Sequence, residues 1–369
     1  MTVIIDLSLV ANASPNERYR MPDNKKQWGE DFTTNVFDAK GKLTPAIVDE
    51  IYAEFKEKGA LHLINTGLHA GNPHDISQDI LEGIGFGDED QFKWGGLTSG
   101  RTNLKYISKA MRETDDYPAE KFLLPHNEIL YQRFMPERLM FYCSKPTRPG
   151  NGGRTFAHCA LKTEEYISRC GPAGTALLDK MHAGGFTIVT GFLDENHPEK
   201  PKNYFRSWQD RFDTQSRDQA LKTCKASGDQ FDDCYWMEEP GARPGEGPYY
   251  TLMTSITVPA FKTDSRDGKR YMLFPRIALD GPMLHNGHRR FLIGQEELTQ
   301  VETAILLQAF LATREGRHYQ PGDMLLVDNI RYGHSRESFT GERKVYASMA
   351  GMFWTDDVLL NQAQARARL

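Results

Sequence analysis

The stretch "LLPHNEILYQRFMPERLMFYC", residues 123–143, decides how this chain is read. A histidine stands two positions before a glutamate, His126 and Glu128, and an apolar strand-like run follows. Residues two apart on an extended chain project to the same side, so an imidazole and a carboxylate would face one point. Alone the triplet settles nothing, because a solvated or capping pair gives the same pattern. A second triplet, His197-Pro198-Glu199, lies in "DENHPEKPK", a charged, proline-interrupted segment that reads as a solvated loop and not as an interior strand. The rest of the chain must discriminate between them.

A third ligand would complete the facial arrangement that leaves positions of an iron(II) ion open. The candidate is His334, in "PGDMLLVDNIRYGHSRESFTGERKV" (321–345), where a turn and an apolar strand precede it. Arg343 follows nine residues later, at the entry to the next strand. Its planar guanidinium could hold a carboxylate in a bidentate pair. In "GNGGRTF" (150–156), a glycine-lined approach ends at Thr155, whose hydroxyl could bond the other side of that carboxylate. Each piece has a bland reading as a core histidine, a surface charge or a turn. Their order and strand contexts together are more specific. His158, just after the threonine, reads as core packing.

Composition bounds the alternatives. The 369 residues are 39% hydrophobic and 26% charged, ordinary values for a globular protein of this size. The net charge of -5 and the lack of a long basic run argue against nucleic-acid binding. No apolar stretch reaches the length of a membrane span, and "MTVIIDLSLVANASPNER" reads poorly as a signal peptide. Five irregularly spaced cysteines without a Cys-x-x-Cys argue against disulfides and structural zinc, so a cytoplasmic protein is expected. "GIGFGDED" (83–90) lacks the order of a dinucleotide fingerprint.

Along the chain, residues 1–44 read as an irregular arm, and Ile47, Ile51 and Phe55 space a helix over 45–58. Strand signals recur at 59–68, 138–143, 153–160, 185–192, 249–261, 270–279, 322–330 and 343–354, with helices over 162–182 and 294–315. The charged segment 193–247 reads as an insertion or lid, with Tyr204, Phe205 and Trp208 as possible walls. Many strands and no βαβ alternation predict a single domain, mainly β with added helices (α+β).

At this point the sequence resembles the taurine dioxygenase and clavaminate synthase-like family of iron(II)/2-oxoglutarate-dependent oxygenases. The resemblance runs through "WGGLTSGR", "DYPAEKFLLPHNEILY", "PERLMFYC" and "GGRT", and returns in "PGDMLLVDN" and "HSRESFTGERKV". It implies a double-stranded β-helix core, jelly-roll or cupin-like. It implies that His126, Glu128 and His334 hold Fe(II), that Arg343 and Thr155 bind 2-oxoglutarate, and that O2 is consumed. An acidic ligand at Glu128 disfavours halogenation, because halogenating members leave that position free for chloride. Arg154, where many members carry an acidic residue, and the long separation of His126 from His334 leave the substrate class open. Arg101, Asn103, Arg154 and Arg336 are candidate contacts, and a buried guanidinium needs a partner. The expected substrate is therefore a small carboxylate-bearing, amino-acid-derived metabolite, with no nucleic acid or membrane involved. A sulfonate dioxygenase, a non-catalytic metal-binding sensor and a zinc hydrolase are the alternatives.

Overall fold

The computed structural model describes residues 35–68, 76–87, 111–114, 117–198, 207–227, 230–241, 247–275 and 289–355. It is a mixed α+β structure built on several sheets. The strand Arg138–Lys145 shows how the largest sheet is assembled. Leu139, Phe141 and Cys143 enter the main core, while Met140 and Tyr142 turn to a second apolar cluster. Both faces are covered, so the strand reads as a continuous apolar run and not as an alternation.

This strand sits fourth in a six-stranded sheet. The order is Val36–Asp38, Ala60–Ile64, Met324–Asp328, Arg138–Lys145, Lys344–Ala350 and Arg112–Glu113. The helices Pro45–Lys58 and Gln78–Gly83 cover its outer face through Val48, Ile51, Phe55 and Leu81, against Leu61, Leu63, Leu326 and Tyr346. Thr44 caps the first helix and Gly59, at φ 78°, ends it. The expected irregular arm thus contains one short strand, Val36–Asp38, paired in parallel with Ala60–Ile64; residues 1–34 lie outside the described residues.

The inner face shares its core with a four-stranded sheet, ordered Arg314–Arg317, Thr155–Cys159, Tyr332–Arg336 and Leu123–His126. Its register places His334 opposite both His126 and Ala157, and Arg336 opposite Thr155. The candidate ligands therefore meet through sheet pairing although 208 positions (334 − 126) separate them. The helix expected over 294–315 spans Gln300–Thr313. Thr299 and Glu302 form a capping box that sets its start, and residues 314–317 are taken by a strand of the second sheet. No described helix is long and apolar enough to cross a membrane.

A third sheet, ordered Arg289–Ile293, Phe186–Phe192, Tyr249–Val258 and Asp233–Glu239, runs from the main core into an outer lobe. There the helices Trp208–Phe212 and Arg217–Ala226 enclose a small core of Phe192, Trp208, Ala220, Cys224, Phe231, Cys234 and Leu252. The described residues of the segment 193–247 are thus organised around a core of their own. Its apolar residues are spread singly among charges, which hid this from a reading by runs. Trp208 is buried inside that core and is no pocket wall; Tyr204 and Phe205 lie outside the described residues.

One cysteine expectation is overturned. Cys224 and Cys234 form a disulfide with their Cα atoms 6.2 Å apart, joining the helix Arg217–Ala226 to the strand Asp233–Glu239. Irregular spacing carried no information here, because helix and strand packing brings the two together. Cys143, Cys159 and Cys170 are free. Mass analysis after alkylation of the denatured, unreduced protein should find three of the five cysteines labelled, and all five after reduction. The Cys224→Ser/Cys234→Ser variant should lose about 2–3 kcal/mol in denaturant unfolding, the loss falling on the outer lobe.

Candidate metal centre

His126 closes its strand, and Glu128 lies in the turn that follows. The two are therefore not brought together by strand alternation alone, as the sequence suggested. The turn does it. Ile129 adopts φ 65°, an unfavourable region for a β-branched side chain, and is buried in the main core. Packing holds the strain. Between the ligands, Asn127 is buried and donates from Nδ2 to the carbonyls of Asn329, at 2.6 Å, and Tyr332, at 3.1 Å. Its Oδ1 accepts from the Phe274 backbone N–H at 2.5 Å.

Asn329 answers from the other side. Its Oδ1 accepts from the Glu128 N–H at 2.8 Å, and its Nδ2 donates to the carbonyls of Glu128, at 3.2 Å, and Pro136, at 2.8 Å. These two asparagines fix the ligand-bearing turn against the chain that leads to His334. Sequence reasoning missed both. An asparagine in a triplet signals only a turn until its distant partners are known.

The result is a convergent, buried set. One ligand atom from each of His126, Glu128 and His334 lies within 4.8 Å of the others. Glu128 Oε2 stands 3.7 Å from His126 Nε2 and 3.4 Å from His334 Nε2, wider than a good N–H···O bond. The imidazole centroids are 4.2 Å apart, and Phe141 packs against His334 at 5.0 Å. His126 Nδ1 lies 2.8 Å from the Leu124 carbonyl, which must accept; the proton therefore sits on Nδ1 and the Nε2 lone pair faces the cluster. Two imidazole nitrogens and one carboxylate suit a divalent transition metal with open positions. The residues fit the metal.

Beside this set lies a cleft lined by His126, Glu128, His334, Thr155, Arg336 and Arg343 among polar groups. Leu123, Leu139, Val345, Ala347 and Met349 form its apolar wall. Arg343 is half-buried, and its Nε donates to the Gly153 carbonyl at 2.9 Å and its Nη2 to Thr155 Oγ1 at 2.8 Å. The glycine approach has a steric reason: Gly152 has φ 76°, and a Cβ there would stand 2.1 Å from the Ser338 carbonyl oxygen. Among the described residues no carboxylate pairs with Arg343. Burial pushes its pKa below the usual value, with Tyr319 and Cys143 opposing that shift.

The other expected contacts fare differently. Arg154 is buried and forms a fork with Glu337, Nε–Oε2 and Nη2–Oε1 both 3.1 Å, and does not line the cleft. Arg336 does line it, but donates to the carbonyls of Tyr117, at 3.2 Å, Pro118, at 2.8 Å, and Lys121, at 3.1 Å. It thereby orders the approach to the metal strand. Arg101 and Asn103 lie outside the described residues. His158 packs as expected, its Nε2 2.7 Å from Ser335 Oγ, and burial lowers its pKa to about 3. Among the described residues His197 belongs to no cluster that could hold a metal. His197 is nevertheless buried, contrary to the solvated-loop reading, with its Nε2 3.7 Å from Glu239 and its ring 5.0 Å from Tyr249; Glu199 lies outside the described residues.

No family model matches the chain. In sequence it is similar to a clavaminate synthase-like protein of Arabidopsis thaliana, 24% identical over 282 residues that cover 75% of this chain and 78% of that one. It is also similar to the dapdiamide synthesis protein DdaC of Enterobacter agglomerans, 23% identical over 262 residues, 67% of this chain and 71% of that one. Among solved structures, PvcB of Pseudomonas aeruginosa aligns over 88% of each chain at 11% identity and a TM-score of 0.46.

Asn329→Ala should leave the Glu128 N–H and two carbonyls without partners and cost about 2–4 kcal/mol in denaturant unfolding. In a titration with Mn(II), the same variant should bind the metal about 10- to 100-fold more weakly, because the carboxylate is no longer oriented. Unchanged metal affinity would show that the clamp does not position Glu128.

Proposed function

We propose that this chain is an Fe(II)/2-oxoglutarate-dependent oxygenase that oxidises a C–H bond of a small carboxylate-bearing, amino-acid-derived metabolite. One observation carries the reading: a half-buried guanidinium, Arg343, meets no carboxylate among the described residues and is hydrogen-bonded to Thr155 in the same cleft as the His126–Glu128–His334 set. A hydrolytic zinc site has no need of that anchor. A double-stranded β-helix core is part of the proposal, supported by the two sheets that share one core around the site.

His126, Glu128 and His334 would hold the metal, and Arg343 with Thr155 would bind the distal carboxylate of 2-oxoglutarate. The chemistry supplied by bound iron(II), 2-oxoglutarate and dioxygen is oxidation of a C–H bond, with release of succinate and carbon dioxide. The chain's own share is placement and exclusion of water. The Leu139, Val345, Ala347 and Met349 wall keeps water from the reacting face. Arg336 donates to three backbone carbonyls at the cleft and so holds the Tyr117–Lys121 approach in place. The similarity to a dapdiamide synthesis protein supports a place in specialised metabolism. Whether the outcome is hydroxylation, desaturation or ring closure depends on the substrate.

The test is succinate release by purified protein with iron(II), ascorbate, oxygen and 2-oxoglutarate, screened over amino acids, N-alkylated amino acids and sulfonates. A mass gain of about 16 Da marks hydroxylation and a loss of about 2 Da desaturation or cyclisation. No succinate with any compound would overturn the reading, and stimulation by sulfonates alone would reassign the substrate class. His126→Ala, Glu128→Ala and His334→Ala should each abolish turnover while circular dichroism stays close to that of the wild type. Arg343→Ala should raise the 2-oxoglutarate requirement about tenfold or more, because a charge-assisted pair contributes roughly 1.5–3 kcal/mol. Arg343→Lys should recover part of this, since lysine lacks the planar fork. An unchanged 2-oxoglutarate dependence in both would move the anchor elsewhere.

A further inference from the structure

Behind Thr155 lies a hydroxyl with no assigned use. Tyr319 is 5% exposed, and its hydroxyl makes no hydrogen bond of regular geometry within the described structure, with Thr155 as its neighbouring polar side chain. Strand register brings it here: Arg317 pairs with Thr155 across the second sheet, and Tyr319 follows two residues on. The hydroxyl lies beside Thr155 and close enough to the Arg343 guanidinium for each to shift the other's pKa. Burial raises the Tyr319 pKa above its usual value, so the phenol keeps its proton. His62 packs on the far side at 6.3 Å between ring centroids and is kept neutral, with a pKa of about 3, mainly by burial.

We infer that Tyr319 is a positioning residue that acts through Thr155, turning the Thr155 hydroxyl into an obligatory donor toward an anion held by Arg343. A threonine hydroxyl has one proton and two acceptor sites. Arg343 Nη2 already donates to the Thr155 oxygen at 2.8 Å. The Tyr319 O–H, which has a proton to give and no other acceptor, takes the second site as the anion seats. With both acceptor sites filled by donors, Thr155 can only donate, and its proton points into the cleft that it lines. A carboxylate is all acceptor, so this polarity selects for it over a group that must donate.

The inference rests on the proposed 2-oxoglutarate reading, and the experiment separates the two. Binding of 2-oxoglutarate to Mn(II)-loaded protein is measured by isothermal titration without oxygen, for the wild type, Tyr319→Phe, Thr155→Val and the double variant. Tyr319→Phe should weaken binding about three- to tenfold, the range of one neutral hydrogen bond. In the Thr155→Val background the second substitution should change little, because its route is gone. If the wild type binds but Tyr319→Phe binds equally well, or if the two losses multiply, the relay through Thr155 is wrong while the 2-oxoglutarate reading stands. If the wild type fails to bind 2-oxoglutarate, both fall. Thermal unfolding supplies the control. A hydroxyl that stays unpaired gives a Tyr319→Phe protein at least as stable as the wild type, so a fold-wide loss cannot pass for the binding effect.

Discussion

The reciprocal clamp between Asn127 and Asn329 is the contact on which the site depends. Both amides are buried, at 2% and 0% exposure, so every hydrogen bond they make must be satisfied inside the protein. A single neutral bond is worth about 1 kcal/mol net, but a buried group left without its partner costs roughly 1–3 kcal/mol. The clamp therefore behaves as one unit: losing either asparagine strands several backbone groups at once. It also closes a loop of some 200 residues, between the turn that presents Glu128 and the segment that leads into His334. Ile129 is held at its unfavourable φ by the same turn, with its side chain committed to the main core. The geometry of the candidate ligands is thus set by polar contacts outside the cluster itself.

Three arginines near the site show how context assigns a charge. Arg154 meets a carboxylate, Glu337, in a two-point fork and is neutralised where it stands. Arg336 meets three backbone carbonyls and organises a loop. Arg343 meets one carbonyl and one hydroxyl, neither of them charged. Burying a guanidinium without a counter-charge is costly, and the drop in its pKa expresses that cost. Among the described residues no carboxylate balances its charge, which is why the proposed anion site is placed there. Residue type alone could not have ranked these three.

The sequence was informative where local pattern and burial coincide. The helix Pro45–Lys58, the strands around 138–145 and 324–328, and the grouping of His126, Glu128 and His334 were legible because apolar spacing and the order of polar residues report directly on them. It failed where the outcome depends on partners far away in the chain. Asn127 and Asn329 look like turn residues until their carbonyl partners are known. Arg154 looks like a free charge until Glu337 is placed 183 positions later. Cys224 and Cys234 look unrelated until a helix packs on a strand, and His197 looks solvated until Glu239 and Tyr249 close over it. In each case the missing quantity was a contact and not a propensity.

The same sheet pairing also fixes the distance between the two ends of the cleft. His334 pairs with Ala157, and Arg336 with Thr155, on one antiparallel strand pair. Along such a strand each residue advances about 3.4 Å, so the ligand position and the anion-donor position are about 7 Å apart along the strand. Neither can drift relative to the other without breaking ladder hydrogen bonds, and the central location of both strands in their sheet leaves no free edge to relax. A flexible pair of loops could adapt to anions of many lengths. On the proposed reading, this rigid pair would suit a molecule whose two polar ends match one spacing, as a short 2-oxo dicarboxylate would with one end at the His126–Glu128–His334 cluster and the other at Arg343 and Thr155. If the proposal holds, selection by length would follow from strand geometry and would leave the walls of the cleft free to differ with the substrate.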